Sequence, residues 1–201
     1  DKVSYIAETN TITFLDNVIL QDTLVLPVED KTVIDLGGKT VTAPQGKPAV
    51  SAESGKDVEL SIVSTNGESS AGQTGTIVGN GTDGSGNGAP VIDFSNASGN
   101  SAITVTESKV SASSGSNSES GNGGTGIAAS SDTKVEVGAG SEITGGNGGN
   151  GTTGNGGNGG AGISGGNVTV DVGGKVTGGS GGDAANGTGG TGGAGVNANK
   201  V

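Results

Sequence analysis

Glycine recurs at every third position through GGNGGNGTTGNGGNGGAGI, the segment that spans residues 145–163. Eleven of its nineteen residues are glycine, and such chain is usually a flexible linker, because glycine loses more entropy on ordering than any other residue. A three-residue spacing is instead what a left-handed helix of polyproline-II type requires when one of its faces packs closely. Because the segment lacks proline, it predicts a polyglycine-II-like helix.

Two neighbouring segments share this phase. The three series are Gly115, Ser118, Gly121, Gly124; Gly145, Gly148, Gly151, Gly154, Gly157, Gly160; and Gly178, Gly181, Ala184, Gly187, Gly190, Gly193. The agreement predicts ordered helices that pack on one another, and a disordered glycine loop is the alternative. Gly154 and Gly157 are both expected on the packed face. Residues 145–160 also read as a palindrome about Thr152-Thr153, which suggests an out-and-back hairpin that turns there.

Each glycine series runs into a β-branched residue of a longer repeat. GIAASSDTKVEVGAGSEITGG (126–146) aligns with GISGGNVTVDVGGKVTGG (162–179). The alignment predicts one buried column containing Val50, Ile92, Ile127, Ile163 and Val196, and a second containing Val135, Val168 and Val201. It also matches Val137 with Val170, and Ile143 with Val176. A unit with so few apolar residues cannot bury them alone, but coaxial stacking of units can.

The remaining patterns predict an all-β chain without significant helix. Short runs of Val, Ile, Leu and Thr separated by turn residues are typical of strands, and no run of helical length has a 3.6-residue period. Stacked strands give a parallel β-helix, and the preference of parallel crossovers favours a right-handed coil. We expect residues 1–48 to form an N-terminal cap and first coil, and 49–201 to form repeating coils with Gly-rich insertions. Because Val201 falls where a strand should begin, we expect a longer protein that continues beyond it.

The segment LVLPVEDKTVIDLGGKTVTA (24–43) resembles the opening coil of pectate-lyase-like right-handed β-helices in bacterial surface proteins. The Gly-Asn-rich coils that end in GGAGI and TGG are similar to repeats of large bacterial cell-surface proteins of adhesin type. The resemblance covers most of the chain, although its motifs are low in complexity. It implies a secreted or cell-surface location, and it names no ligand.

Charge and composition exclude several classes of partner. The net charge is −11, all nine basic residues are lysine, and no basic cluster is present. Nucleic-acid binding depends on phosphate contacts from basic side chains, so we expect no nucleic-acid partner. No apolar run approaches the length of a membrane span, so we expect no membrane insertion. A glycan or protein of a host or cell surface is the partner class left open.

The sequence offers no catalytic, cofactor or metal site. Arginine, histidine and cysteine are absent, and the acidic residues show no pair suited to glycoside cleavage. GGSGGDAAN (178–186) partly matches a calcium nonapeptide, but a solvated aspartate in a glycine turn explains it better. NGTDGSGNG (80–88) has too few acidic ligands for a calcium loop. We therefore expect a protein that is not an enzyme and that needs no cofactor.

Two functions remain from these observations. The first is a non-catalytic structural or adhesive module of a secreted bacterial surface protein. The second is a ligand-binding β-helix domain for carbohydrate or, less favoured, for ice. The scarcity of aromatic residues disfavours carbohydrate, because sugars bind on aromatic platforms. The Thr-x-Thr pairs at 11–13, 40–42 and 104–106 do not share one repeat position, which disfavours ice. If binding occurs, the Gly-rich faces and the loop 64–90 are the expected sites.

Overall fold

The computed structural model describes residues 2–27, 31–65, 74–117 and 120–201, and within these ranges the chain is all-β. A 3-10 turn at Ala7–Thr9 is the one helical element described. The strands in chain order are β1 (Val3–Ile6), β2 (Thr11–Phe14), β3 (Val18–Ile19), β4 (Leu24–Leu26), β5 (Thr32–Asp35), β6 (Thr40–Gln45), β7 (Val50–Ala52), β8 (Glu59–Val63), β9 (Gly75–Asn80), β10 (Ile92–Phe94), β11 (Ala102–Val105), β12 (Ser108–Ser111), β13 (Ile127–Ala129), β14 (Lys134–Val137), β15 (Glu142–Thr144), β16 (Ile163–Ser164), β17 (Asn167–Val170), β18 (Lys175–Thr177) and β19 (Val196–Asn197).

These strands form three sheets whose order describes a coil. Sheet A is β1-β2-β5-β8-β11-β14-β17, sheet B is β3-β6-β9-β12-β15-β18, and sheet C is β4-β7-β10-β13-β16-β19. From β2 onward the chain passes through A, B and C in turn, which makes coil 1 (β2–β4) through coil 6 (β17–β19). Equivalent strands of successive coils pair in parallel, and among the strands described β1 alone pairs antiparallel, with β2. The fold is therefore consistent with the predicted β-solenoid.

The first predicted column runs through sheet C. Successive register pairs join Leu24 to Val50, Val50 to Ile92, Ile92 to Ile127, Ile127 to Ile163, and Ile163 to Val196. Ile92, Ile127 and Ile163 are fully buried. The predicted register is confirmed, although Val196 at the C-terminal end is only half-buried. The column extends one coil further toward the N-terminus than the alignment reached.

The second column, in sheet A, is confirmed except at its end. Val135 pairs with Val168, and both side chains are buried. A single bridge joins Asn167 to Lys200, so Val201 falls in register below Val168. Its side chain is nevertheless 81% exposed, and the prediction that it is buried is wrong. One residue past a single bridge has no strand to hold it against the column.

A third column fills sheet B, and the sequence predicted only part of it. The pairs join Val18, Val41, Ile77, Val110, Ile143 and Val176 in order. The match of Ile143 with Val176 is confirmed. Part of the predicted loop 64–90 is instead strand β9, which places the fully buried Ile77 in this column, while residues 66–73 lie outside the described ranges. The three columns together form one continuous narrow core.

Candidate functional site

Gly-rich insertions leave the solenoid at one corner, between sheets B and C. In coils 4, 5 and 6 they comprise residues 112–126, 145–162 and 178–195. Each has an outward leg (113–117, 145–151 or 178–184) and a return leg (121–126, 155–162 or 188–195). We call the described residues of these six legs the Gly-Asn wall.

Backbone hydrogen bonds show that each insertion is a closed hairpin. In coil 5 the N–H of Gly157 donates to Gly149 O and that of Gly160 to Gly146 O, both at 2.8 Å. Coil 6 repeats the arrangement, with Gly190 donating to Gly182 O and Gly193 to Gly179 O. The predicted out-and-back hairpin is confirmed, and so is the prediction that the segments pack on one another. Ser118, one member of the predicted glycine series, lies outside the described residues.

Both legs of coil 5 repeat a triplet X-Gly-Gly, in which X is usually asparagine. The N–H groups of both glycines bond to other legs. The first glycine donates to the next coil, as Gly148 does to Ser180 O and Gly159 to Thr191 O. The second glycine donates across the wall, as Gly149 does to Gly121 O in coil 4. Outward legs therefore stack on outward legs and return legs on return legs, and the two layers are bonded to each other.

The N–H of residue X uses a third direction, toward the side chain of an asparagine one coil earlier. Asn147 Oδ1 accepts from Ser180 N, and Asn155 Oδ1 accepts from Thr188 N, both at 2.9 Å. Equivalent bonds link Asn87 to Asn122, Asn117 to Asn150, Asn122 to Asn158, Asn150 to Asp183, and Asn158 to Thr191. We call this set the Asn ladder. Sequence reasoning missed it, although asparagines 33 residues from an Asn, Ser, Asp or Thr were its visible signal.

In the legs of coil 5, close backbone approach requires both glycines of each triplet. A Cβ built on Gly157 would overlap Gly121 O, and one built on Gly156 would overlap Gly182 O. The expectation of one packed face is therefore too narrow, because two of the three faces of each leg are packed. Gly154 was also placed wrongly. It lies in the hairpin turn, where a built Cβ meets no atom within 4 Å.

Removing two rungs of the Asn ladder should destabilise the protein measurably. The double variant Asn147→Ala/Asn155→Ala deprives two backbone N–H groups of their acceptors, at about 0.5–1.5 kcal/mol each. We expect its free energy of unfolding, measured in urea, to fall by about 1–3 kcal/mol. Ser180→Ala/Thr188→Ala is the matched control, because it changes the donor residues but keeps their backbone N–H groups. Equal stability of the two double variants would contradict the ladder.

The two outer faces of the wall carry only polar or small X residues. Asn147, Asn150, Ser180 and Asp183 are exposed on the outward layer, and Asn155, Asn158, Thr188 and Thr191 are exposed on the return layer. Their spacing is fixed by the coil repeat along one direction and by the triplet along the other. The return face is therefore a regular array of amide and hydroxyl groups, and the outward face adds the Asp183 carboxylate, which suits hydrogen bonding to a polar surface.

The two calcium-like motifs show no clustered ligands. Asp83 Oδ1 accepts from the N–H groups of Ser85 and Asn87, so its carboxylate closes its own turn. Asp183 is exposed on the wall. Within the four described ranges, no three His, Cys, Asp or Glu side chains lie together as metal ligands. The Thr-x-Thr pairs fall on sheet A at 11–13 and 104–106 and on sheet B at 40–42, so they form no single ladder.

A charged triplet on the outer face of sheet B accounts for one shifted carboxyl pKa. Glu142 lies between Lys109 and Lys175 in register, with Oε1 at 2.7 Å from Lys175 Nζ and Oε2 at 3.6 Å from Lys109 Nζ. The hydrogen bond from Lys175 holds the pKa of Glu142 below its usual range. Lys47 likewise lowers the pKa of Asp22 through a hydrogen bond on the surface. Both shifts come from ion pairs rather than from a catalytic pair of acids.

The Glu142 pair should make a small pH-dependent contribution to stability. Because the pKa is lower in the folded state, the contribution is present above the pKa of the unfolded chain and is lost as pH falls through the folded value. Glu142→Gln should therefore lower the melting temperature near neutral pH. The corresponding loss in free energy of unfolding should be less than about 1 kcal/mol, because the pair is exposed. The melting temperatures of the variant and of the unchanged protein should converge as the pH is lowered. A difference that grows in acid would contradict this sign.

An apolar cavity of about 290 Å³ lies at the first coil. Its lining residues are Val3, Tyr5, Ile12, Phe14, Leu20 and Leu24. Tyr5 is 60% exposed, and its hydroxyl donates to Asn10 Oδ1 at 3.1 Å. It is the one aromatic side chain of the described residues that solvent reaches freely, since Phe14 and Phe94 are buried.

No helix in the described segments is both long and apolar enough to cross a membrane. The chain matches no protein-family model, no curated protein and no solved structure.

Proposed function

We propose that this chain is a non-catalytic structural or adhesive module of a secreted bacterial surface protein. The observation that carries the proposal is that the described strands and wall legs of each coil pair with those of the coils before and after it. Such a stack can be lengthened by repetition, because each repeat contributes its own core and interface. An extended, acidic module of this kind suits projection from a cell, since its charge keeps it soluble.

The finer features of the fold belong to the same proposal. We take the coil to be right-handed, because crossovers between parallel strands are right-handed in nearly all proteins. We take the legs of the wall to be polyglycine-II-like helices. Three-residue hydrogen-bond periodicity supports this, and so does the absence of positive φ values from 145–162 and 178–195, which are described throughout. The resemblance to pectate-lyase-like surface proteins supports the location.

Surface labelling tests the location and the role together. Antibodies against the folded chain should stain intact cells of the source organism as strongly as permeabilised cells. Signal that appears only after permeabilisation would refute a surface module. Incubation with pectins and glycosaminoglycans in the presence of calcium should release no unsaturated product, and concentration-dependent release would refute the non-catalytic part.

A carbohydrate-binding role is the second candidate, and the exposed Tyr5 beside its apolar cavity is the observation in its favour. An aromatic ring next to apolar side chains is a surface on which a sugar ring can stack. A glycan array separates the two functions. Saturable binding that Tyr5→Ala abolishes would favour this candidate. Glycan binding that Tyr5→Ala leaves unchanged would place the binding site elsewhere, with the faces of the wall as the next surface to test.

A further inference from the structure

The wall is built from a dipeptide that is chemically unstable in ordinary chains. Asn-Gly occurs nine times in the sequence, and eight of these asparagines are described. In an Asn-Gly step the glycine nitrogen can attack the asparagine Cγ and expel ammonia, which closes a succinimide ring. Water then opens the ring to aspartate or isoaspartate. Glycine permits the attack because it has no Cβ to obstruct the approach.

Ring closure needs movement of both reacting groups, and six of the eight steps hold both in place. The carboxamide oxygen of each asparagine accepts from the next coil, and the N–H of each following glycine donates to that coil as well. Asn147 shows the pattern: its Oδ1 accepts from Ser180 N, while Gly148 N donates to Ser180 O. The six are Asn87, Asn122, Asn147, Asn150, Asn155 and Asn158.

The two other steps lack this double restraint, and they differ from each other. Asn80 is half-buried at the end of β9, where its carbonyl accepts from Gly46 N at 2.8 Å. Asn186 lies in the hairpin turn of coil 6 and is exposed, as is Gly187. Among the described residues, neither the Asn186 carboxamide nor the Gly187 N–H has a hydrogen-bond partner. Neither reacting group of this step is therefore held by a hydrogen bond.

We propose that Asn186 is a site of spontaneous deamidation, and that the Asn ladder protects the other asparagines of the wall from the same reaction. The modification consumes one water and releases one ammonia. It leaves a new carboxylate at the tip of the wall, and in the isoaspartate product the chain continues through a β-peptide bond. The reaction needs no enzyme, so its extent records the age of the protein.

Peptide mapping by mass spectrometry tests this proposal on the whole chain. The protein is incubated in mildly alkaline buffer, folded in one series and unfolded in urea in the other. In the folded series, we expect conversion at Asn186 to exceed that at each of the six doubly restrained asparagines by at least about tenfold, since reaction at those six requires local opening of the structure. In urea the Asn-Gly sites should react at similar rates.

The decisive quantity is the ratio of the deamidation rate in urea to that in the folded protein, taken separately at each asparagine. Effects of the neighbouring sequence on the rate cancel in this ratio. It should be near one at Asn186 and large at Asn147, Asn150, Asn155 and Asn158. Asn186→Gln serves as the control, since a longer side chain closes its ring slowly, and its peptide should keep its mass. Folded-state conversion of Asn186 no faster than that of the ladder residues would overturn the proposal. So would ladder residues that react equally fast folded and unfolded.

Discussion

Gly157→Val should be among the most destabilising single changes in this chain. The glycine is buried in the return leg of coil 5, and a Cβ at this position would overlap the carbonyl oxygen of Gly121 in coil 4. The obstructing atom belongs to a backbone that is itself bonded to Gly149 N, so it cannot move without breaking the layer contact. We expect the free energy of unfolding in urea to fall by about 3 kcal/mol or more.

Gly154→Val provides the matched control three residues away. It introduces the same side chain into the same hairpin, but at a turn position with open space around the Cβ and no positive φ. We expect a change within about 1 kcal/mol. If the two valine variants unfold together, the legs are not closely packed, and the arrangement of the wall described above is wrong.

Ile127→Ala should have a comparable effect through the core. Ile127 is fully buried between Ile92 and Ile163 in the sheet C column, and truncation leaves a cavity that neighbouring coils cannot fill. The expected loss is about 2–5 kcal/mol. Val25→Ala is the control, because Val25 belongs to the same sheet but is 57% exposed. Urea unfolding followed by circular dichroism measures both, and equal losses would contradict the assigned column.

The core of the later coils was predictable because two successive sequence repeats carry the same pattern of apolar residues. Val135 and Val137 alternate with polar residues, and Val168 and Val170 repeat that alternation 33 residues later. Period-two alternation fixes the buried face of a strand, and the repeat fixes which strands pair. Val170 is nevertheless 37% exposed, because burial in a solenoid depends on a layer on both sides.

The earlier coils were harder to predict, for a physical reason. Strands of two or three residues, such as β3 and β4, are too short to show any period. Strand β9 follows a polar stretch without a counterpart in the later repeats, so Ile77 had no aligned partner. Its place became visible only through the register pairs that join it to Val41 and Val110.

The candidate site likewise has a part that the sequence predicted and a part that it did not. The glycine phase and the palindrome predicted a packed hairpin, because both are properties of backbone spacing. The role of asparagine at position X was not predicted, since Asn147 and Asn155 occur in a composition where asparagine is common. Their function depends on a partner 33 residues away, which only the stacking of coils brings within reach.

The three-direction bonding of the wall also restricts how its length can change. A leg lengthened by one residue would turn its X side chain into the packed layer and present a glycine to solvent, whereas a leg lengthened by one whole triplet keeps every contact in phase. The insertion lengths agree with this rule. Fifteen residues separate Ser111 from Ile127, and eighteen separate Thr144 from Ile163 and Thr177 from Val196. The insertions of related chains should therefore differ in length by multiples of three residues, because only whole triplets preserve the contacts between legs.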